Sequence, residues 1–334
     1  MFDIRKLKIT LIVYSLQEQK QYTSKSHRRY NMLQKVVANI LPHLPQSFVW
    51  RFSKEYVAGQ NLEQAMEQVK ALNEMQVETT IDILGEFITS LDQAEQNKIE
   101  YLDLIERTEK AGLATSYSVK PTFFGLLLDK EVCEKNIHEL IEKAVSYDRF
   151  IRIDMEDSPC TDMEIAMFRR FKQEFPNHVG LVVQAMLKRT KSDIESLADL
   201  NTPEAPVNLR LCKGIYVESA EISFKDAQEV RDHYLEDLEV MLKLKMFPGI
   251  ATHDPALVEG AYKLLEKYEV PKDKYEFQML FGVAPGLRQS ILDKGHSMRV
   301  YLPYGADWFG YCTRRLKENP NMVSMAVKAI FVKG

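Results

Sequence analysis

Three observations in the 334-residue chain predict an α/β fold, a (β/α)8 barrel of the TIM type preceded by a helical extension. Eight short strand-like runs recur between residue 77 and the C-terminus. Longer amphipathic, charge-rich segments lie between them. No linker rich in Pro, Gly or Ser breaks the series. Strands alternating with helices pair in parallel through βαβ crossovers. Eight is the number that closes a barrel, and the span is close to the roughly 250 residues typical of one. A doubly wound open sheet is the competitor. Against it, no GxGxxG follows any strand, and the first βα turn, "IDILGEF", holds one glycine.

Residues 1–60 are read as the helical extension and 61–334 as the barrel. An apolar run, "ITLIVYSL" (9–16), follows a few basic residues, but no small-residue cleavage site comes after it. It is too short for a bilayer, which needs roughly 20 apolar residues. A docked N-terminal element is expected instead. "NLEQAMEQVKALNEMQ" (61–76) carries Leu62, Ala65, Met66, Val69 and Leu72 at helical spacing. The strand-like runs are "VETTIDIL" (77–84), "TSYSVKP" (115–121), "RFIRIDM" (149–155), "HVGLVVQ" (178–184), "VNLRLCK" (207–213), "GIATH" (249–253), "YEFQML" (275–280) and "MRVYLP" (298–303). Segments such as "EVCEKNIHELIEKAV" (131–145) supply the helices between them.

Composition narrows the function. With 44 basic and 48 acidic residues the net charge is −4, which disfavours a general nucleic-acid binder. Cys133, Cys160, Cys212 and Cys312 form no CxxC, which reads as a reduced, cytosolic protein. The seven histidines form no HExxH, so no metal motif is present. Polar residues gather where the strand runs finish: Asp82, Lys120, Asp154 with Glu156, Gln184, Arg210 with Lys213, His253 with Asp254, and Gln278. In a closed parallel barrel those ends open onto one face, where barrel enzymes keep their catalytic groups. Each residue taken singly has a blander reading, because loops follow strands and are polar.

The stretch after the last strand, "YLPYGADWFGYCTRRLKENP" (301–320), raises a second question. Asp307 is a plausible N-cap, Trp308 opens a helix and Pro320 marks its end. Tyr311, Arg314, Arg315 and Glu318 then share one helical face. Spacing alone leaves two readings open. One is an Arg314–Glu318 surface pair worth a few tenths of a kcal/mol. The other is a clamp in which two guanidinium forks grip a small carboxylate.

This stretch resembles the YxxRRxxE signature of the proline dehydrogenase family. Other segments are similar to family segments, in family order: "SVKPTFFGL" (118–126), "IRIDMEDSPCTD" (151–162), "LVVQAML" (181–187), "LRLCKGIYVESAEISF" (209–224), "ATHDPALV" (251–258), "YEFQMLFGV" (275–283) and "MRVYLPYGADWFGY" (298–311). The likeness runs from about residue 56 to the C-terminus. It implies a distorted (β/α)8 barrel that holds FAD and oxidises L-proline to Δ1-pyrroline-5-carboxylate by hydride transfer from C5 to flavin N5.

The resemblance also implies roles. Arg314 and Arg315 match the pair that binds the proline carboxylate, assisted by Lys120. Asp154 resembles the aspartate that orients one arginine. Tyr301 and Leu280 are similar to residues that wall the proline ring, and Tyr311 and Glu318 belong to the same helical site. Gln184, Arg210, Lys213, Gly214, Tyr216, Thr252 and His253 match positions that touch the flavin, with Arg210 and Gln184 as donors to its N5 and carbonyl edge. A phenol at Tyr301 against the ring leaves little room for a hydroxyl on proline. Electrons are expected to pass to a membrane quinone, and the product to a separate pyrroline-5-carboxylate dehydrogenase, as in the monofunctional form. The location implied is cytoplasmic, with contact at the inner face of the membrane; the closing "MVSMAVKAIFVKG" (322–334) reads better as barrel packing. Two rivals treat these motifs as coincidence. One is a lyase with Lys120 or Lys213 as Schiff-base nucleophile; the other is a non-catalytic barrel that binds an amino acid.

Overall fold

The computed structural model describes residues 49–50 and 53–312. It divides into two compact units: residues 55–306 form one, and the described residues up to 54 and from 307 form the other. In the larger unit α1 (Leu62–Glu74) leads into β1 (Glu78–Ile83). Then follow α2 (Leu91–Lys110), β2 (Ser116–Val119), α3 (Lys130–Val145), β3 (Ile151–Ile153), α4 (Ser158–Glu174) and β4 (Val179–Gln184). The second half is α5 (Thr190–Ser196), β5 (Asn208–Cys212), α6 (Ala227–Lys243), β6 (Phe247–Ala251), α7 (Pro255–Lys267), β7 (Glu276–Leu280), α8 (Pro285–Asp293) and β8 (Met298–Tyr304). Each strand pairs in parallel with its neighbours in sequence, and β8 closes on β1 from Glu78↔Arg299 to Ile83↔Tyr304. The expected (β/α)8 barrel is therefore borne out, with all eight strands inside or within two residues of the runs read from sequence.

Local chemistry sets the element boundaries. Asn61 caps α1 by accepting from Gln64 N–H, and Ser90 with Gln93 closes a capping box on α2. Asp129, Asp226 and Asp254 cap α3, α6 and α7 in the same way. Along the strands, Ile81, Tyr117, Ile153, Leu181, Leu209, Ile250 and Val300 are fully buried. Burying each such side chain is worth about 1.5–3 kcal/mol. On β1, β2, β3, β5 and β8 the residues alternating with them are polar, and some bond across the barrel, while β4 and β6 place Gly180, Val182, Gly249 and Ala251 there. Arg152 of β3 reaches the Asn208 side chain of β5 at 2.7 Å, and Arg299 of β8 reaches Ser116 of β2 at 3.1 Å. Bonds between non-neighbouring strands can only cross the interior. Most barrels fill that space with branched aliphatic side chains; this one fills much of it with charge.

In the smaller unit a helical turn opens at Trp308, with Tyr311 N–H to the Asp307 carbonyl at 3.2 Å, which puts Asp307 at the N-cap position. Trp50 and Trp308 meet edge to face at 4.8 Å. Most of the extension assigned to residues 1–60, and the closing segment 322–334, lie outside the described residues.

One buried group works against the fold. Asp237 on α6 is fully buried, and neither carboxylate oxygen has a hydrogen-bond partner among the described residues. His233 Nδ1 is 3.3 Å from it but bonds the Ala185 carbonyl at 2.7 Å. Burial first, then the charge of Glu236, pushes the Asp237 carboxyl up to about 8. A folded-state value raised above the unfolded one favours folding only while the group stays protonated. Its contribution is complete below the ordinary aspartate range and is lost as pH rises through about 8. Asp237→Asn is expected to unfold at higher denaturant than the parent at pH about 8, and the gain is expected to shrink toward pH about 5. A gain independent of pH would refute this cause.

Candidate active site

The polar interior culminates where the strands end. Asp82 closes β1, Lys120 follows β2, Asp154 follows β3, and Arg210 and Tyr301 point inward from β5 and β8. Lys120 Nζ donates to Asp82 Oδ1 at 2.5 Å and lies 4.0 Å from Asp154 Oδ2. Asp154 gathers the rest: Ser118 Oγ donates to it at 2.5 Å, Arg210 Nη1 at 3.0 Å and the Tyr301 hydroxyl at 3.0 Å. Lys120 also donates to the Tyr301 hydroxyl at 3.4 Å, and the Arg210 guanidinium lies 5.0 Å from the Tyr301 ring centroid. Charges thus alternate around the mouth: Asp82, Lys120, Asp154, Arg210.

This alternation fixes protonation. Burial pulls the Lys120 ammonium down, but Asp82 and Asp154 outweigh it and hold Lys120 above the ordinary lysine value. Burial, followed by the carboxylates of Asp154 and Asp82, pushes the Tyr301 phenol far up, so it remains a donor. Arg210 is steered from both sides, since its Nε donates to Gln278 Oε1 at 2.6 Å. Gln278 is itself held by Glu276, at 2.5 Å.

A second group of predicted residues lies around the ends of β4 to β7. Lys213 Nζ pairs with Asp254 at 2.6 Å, and Arg231 binds the same oxygen at 2.7 Å. Their hydrogen bonds and charges hold the Asp254 carboxyl down at about 2 despite burial. Thr252 Oγ accepts from Asp254 N–H at 3.1 Å, and His253 Nε2 accepts from Leu280 N–H at 2.8 Å. His253 therefore ties β6 to the end of β7. Burial raises the Tyr216 phenol.

Gln184 departs from expectation. Its Nε2 donates to the carbonyls of Glu156 at 2.7 Å and Met155 at 3.4 Å. The atom facing two carbonyl oxygens must be the nitrogen, so the side chain presents Oε1, an acceptor, rather than the donor read from sequence. That Oε1 borders Gly214, whose φ is +95°. A Cβ there would lie 2.6 Å from Met186 Cγ and 2.9 Å from Gln184 Oε1. The space beside Gly214 is thus filled by the Met186 and Gln184 side chains, which leaves room there for no side chain but hydrogen.

Of the predicted site residues, the structure brings together Lys120, Asp154, Arg210 and Tyr301, and ties Leu280 to His253. Tyr311 sits in the other unit. Arg314, Arg315 and Glu318 lie outside the described residues. Asp82 and Gln278 were marked by sequence only as strand-end polar residues, without a specific role, and Ser118 was not singled out. The signal that could have found Ser118 is the alternation itself, since "SYSVK" places a polar residue at every second position.

The fold and the mouth define a (β/α)8-barrel protein with a charged site at the C-terminal face of its strands. A family model described as proline dehydrogenase matches residues 65–328. Proline dehydrogenase 1 of Bacillus subtilis (strain 168) is 34% identical over 281 residues, covering 84% of this chain and 91% of that one. The proline dehydrogenase of Deinococcus radiodurans is 33% identical over 291 residues, covering 86% and 92%. Among solved structures, proline utilization A (PutA) from Bdellovibrio bacteriovorus inactivated by N-propargylglycine aligns with a TM-score of 0.76 at 24% identity. That alignment covers 81% of this chain and 33% of the other, and shows a common fold. The chain belongs to the proline dehydrogenase family.

Proposed function

We propose that this chain is an FAD-dependent proline dehydrogenase that oxidises L-proline to Δ1-pyrroline-5-carboxylate, the first step of proline catabolism to glutamate. FAD, when bound, would take the hydride from proline C5. The observation that carries the reading is the alternating cluster Asp82–Lys120–Asp154–Arg210 with Tyr301 at its centre. Lys120 and Arg210 supply permanent positive charge at a buried mouth, which suits an amino-acid carboxylate and negative charge developing on a reduced ring. Arg314 and Arg315 are proposed as the main carboxylate clamp, with Glu318 and Tyr311 beside them. Tyr301, held between Lys120 and Asp154, would wall the proline ring opposite Leu280. Fixing the carboxylate sets C5 against its acceptor, so catalysis rests on positioning. Gln184, Arg210, Lys213, Gly214, Tyr216, Thr252 and His253 are the proposed flavin contacts, with Gln184 as acceptor.

A lyase with Lys120 as Schiff-base nucleophile needs that amine neutral, and the two carboxylates favour the opposite state. Electrons would pass to a membrane quinone at the inner face of the membrane, and the product to a separate dehydrogenase. No helix among the described residues is long and apolar enough to cross a bilayer.

The test is an absorption spectrum of the purified protein before and after anaerobic L-proline. An oxidised-flavin spectrum bleached by proline is expected. 4-Hydroxyproline is expected to bleach it far more slowly, because the Tyr301 phenol occupies the space of the hydroxyl. Equal kcat/KM for the two would remove Tyr301 from the ring wall. A protein that binds no flavin on reconstitution would overturn the whole reading.

A further inference from the structure

Behind the charged cluster lies a buried group with no part in the proposed chemistry. Glu156, two residues beyond Asp154, is fully buried, as are Cys160 and Glu164 of α4. Ligand atoms of these three lie within 4.8 Å of one another. Donors are already aimed at both carboxylates, which marks the cluster as a hydrogen-bonded joint rather than a metal site. Thr122, in the loop after β2, donates its N–H to Glu156 Oε2 at 2.8 Å and its hydroxyl to Oε1. The same hydroxyl accepts from Phe87 N–H at 3.1 Å, in the loop after β1. The Glu156 carbonyl accepts from Gln184 Nε2 at 2.7 Å, at the end of β4. Glu156 N–H donates to both Glu164 oxygens, at 3.1 and 3.3 Å, anchoring the joint to α4. Half of the barrel mouth, β1 to β4, is thereby tied through one residue.

We propose that Glu156 is a positioning residue whose ionised carboxylate holds this collar, setting the Gln184 amide toward the cofactor and the loop that carries Lys120. The proposal rests on the reading of function given above. Its logic is donor counting. Two donors from Thr122 meet the two oxygens of an acceptor-only carboxylate. A protonated Glu156 would turn its own O–H on the Thr122 hydroxyl, which already accepts from Phe87, and that hydroxyl's proton would lose its acceptor. The surroundings make this loss reachable. Burial is the main cause that pushes the Glu156 carboxyl up to about 7, against the Thr122 bonds and Lys120, with Glu86 adding to the rise. Glu164 is pushed far above the carboxylate range by burial and by Glu156 itself, so the charge that the pair gains as pH rises falls first on Glu156. Cys133 of α3 and Tyr216 after β5 also face the carboxylate, and burial keeps both neutral.

The sign separates this role from a merely structural one. A raised folded-state value means that protonated Glu156 favours the folded state, and that contribution is lost as pH rises through about 7. Acidification thus favours folding at this group while it slackens the collar. The experiment follows the visible circular dichroism of the bound flavin in the full-length holoenzyme, without proline, from about pH 5.5 to about 8.5. The parent is expected to show a transition with a midpoint near 7, absent in Glu156→Gln. The acid limb of kcat/KM is expected to disappear with it, and Glu156→Ala is expected to lose about 10²-fold in kcat/KM through misplacement. Thr122→Val, which removes one hydrogen bond to the ionised form, is expected to move the midpoint upward, and it carries the test if Glu156→Gln does not fold. Identical pH courses in the parent and Glu156→Gln, or an unmoved midpoint in Thr122→Val, would overturn the proposal. A flavin that titrates this way but is not bleached by proline would instead remove the reading of function and leave the collar standing.

Discussion

Asp154→Ala is expected to lower kcat/KM for L-proline about 10²–10³-fold, with most of the loss in kcat, the range seen when one preorganised electrostatic contact is removed. Four groups converge on this carboxylate: Ser118, Arg210, Tyr301 and, at 4.0 Å, Lys120. Removing it leaves two cations without the anion between them. An incoming substrate carboxylate can then settle where Asp154 stood, bound to Arg210 and Lys120. That pose holds proline tightly and in the wrong place. KM is therefore expected to change little or fall while turnover collapses. The loss of a buried ion pair also destabilises, by about 3 kcal/mol where one partner is removed, so Tm is expected to drop. Asp154→Asn keeps one oxygen, which can serve either the Tyr301 hydroxyl or Arg210 with Ser118 but not both, and is expected to fall between. Steady-state kinetics and small-carboxylate binding followed by flavin absorbance check the split. A raised KM with kcat intact would place Asp154 in ground-state binding instead.

The same residue shows what the sequence made legible. Asp154 was visible as a strand-end carboxylate, because "IRID" ends a strand run and a closed parallel barrel directs such ends to one face. The strands were legible because Ile81, Tyr117, Leu181 and Leu209 sit in short strand-like runs between longer amphipathic segments, and the helices because residues such as Leu62, Ala65, Val69 and Leu72 recur at helical spacing and are buried. Partners were not legible. Lys120 turns to Asp82, 38 positions away, and Tyr301 to Asp154, 147 away. Such contacts are set by barrel closure, which no local pattern encodes. The Gln184 amide is a sharper case. Residue type allows donor or acceptor, and only the Glu156 carbonyl beneath it decides.

Gly282→Ala is expected to be the most destabilising single-methyl change in the barrel unit, by about 3 kcal/mol or more. Two costs combine there. Gly282 has φ +74°, where a Cβ costs about 1–2 kcal/mol. That Cβ would also stand 1.6 Å from the Glu55 carbonyl oxygen and 2.7 Å from its carbon. No side chain can swing away to relieve this, since the obstacle is backbone. Overpacking of this kind adds about 1–3 kcal/mol. The segment that would have to retreat is itself pinned: Ala58 N–H bonds the Pro303 carbonyl at 2.8 Å, and Gly59 bridges to Tyr304. Displacing it strains β8, which carries Tyr301, and the end of β7, where Leu280 is held by His253. Tm is expected to fall by about 5–10 °C, and activity is expected to fall at temperatures where the variant is still folded. Gly286→Ala, four residues on within α8, is the control. A Cβ there meets nothing within 4 Å, and helical alanine is favoured over glycine by roughly 0.5–1 kcal/mol. Its Tm is expected to hold or rise slightly. Equal melting of the two variants would mean that the chain at Glu55 yields freely, and that the approach of backbone to backbone at Gly282 does not constrain the site side of the barrel.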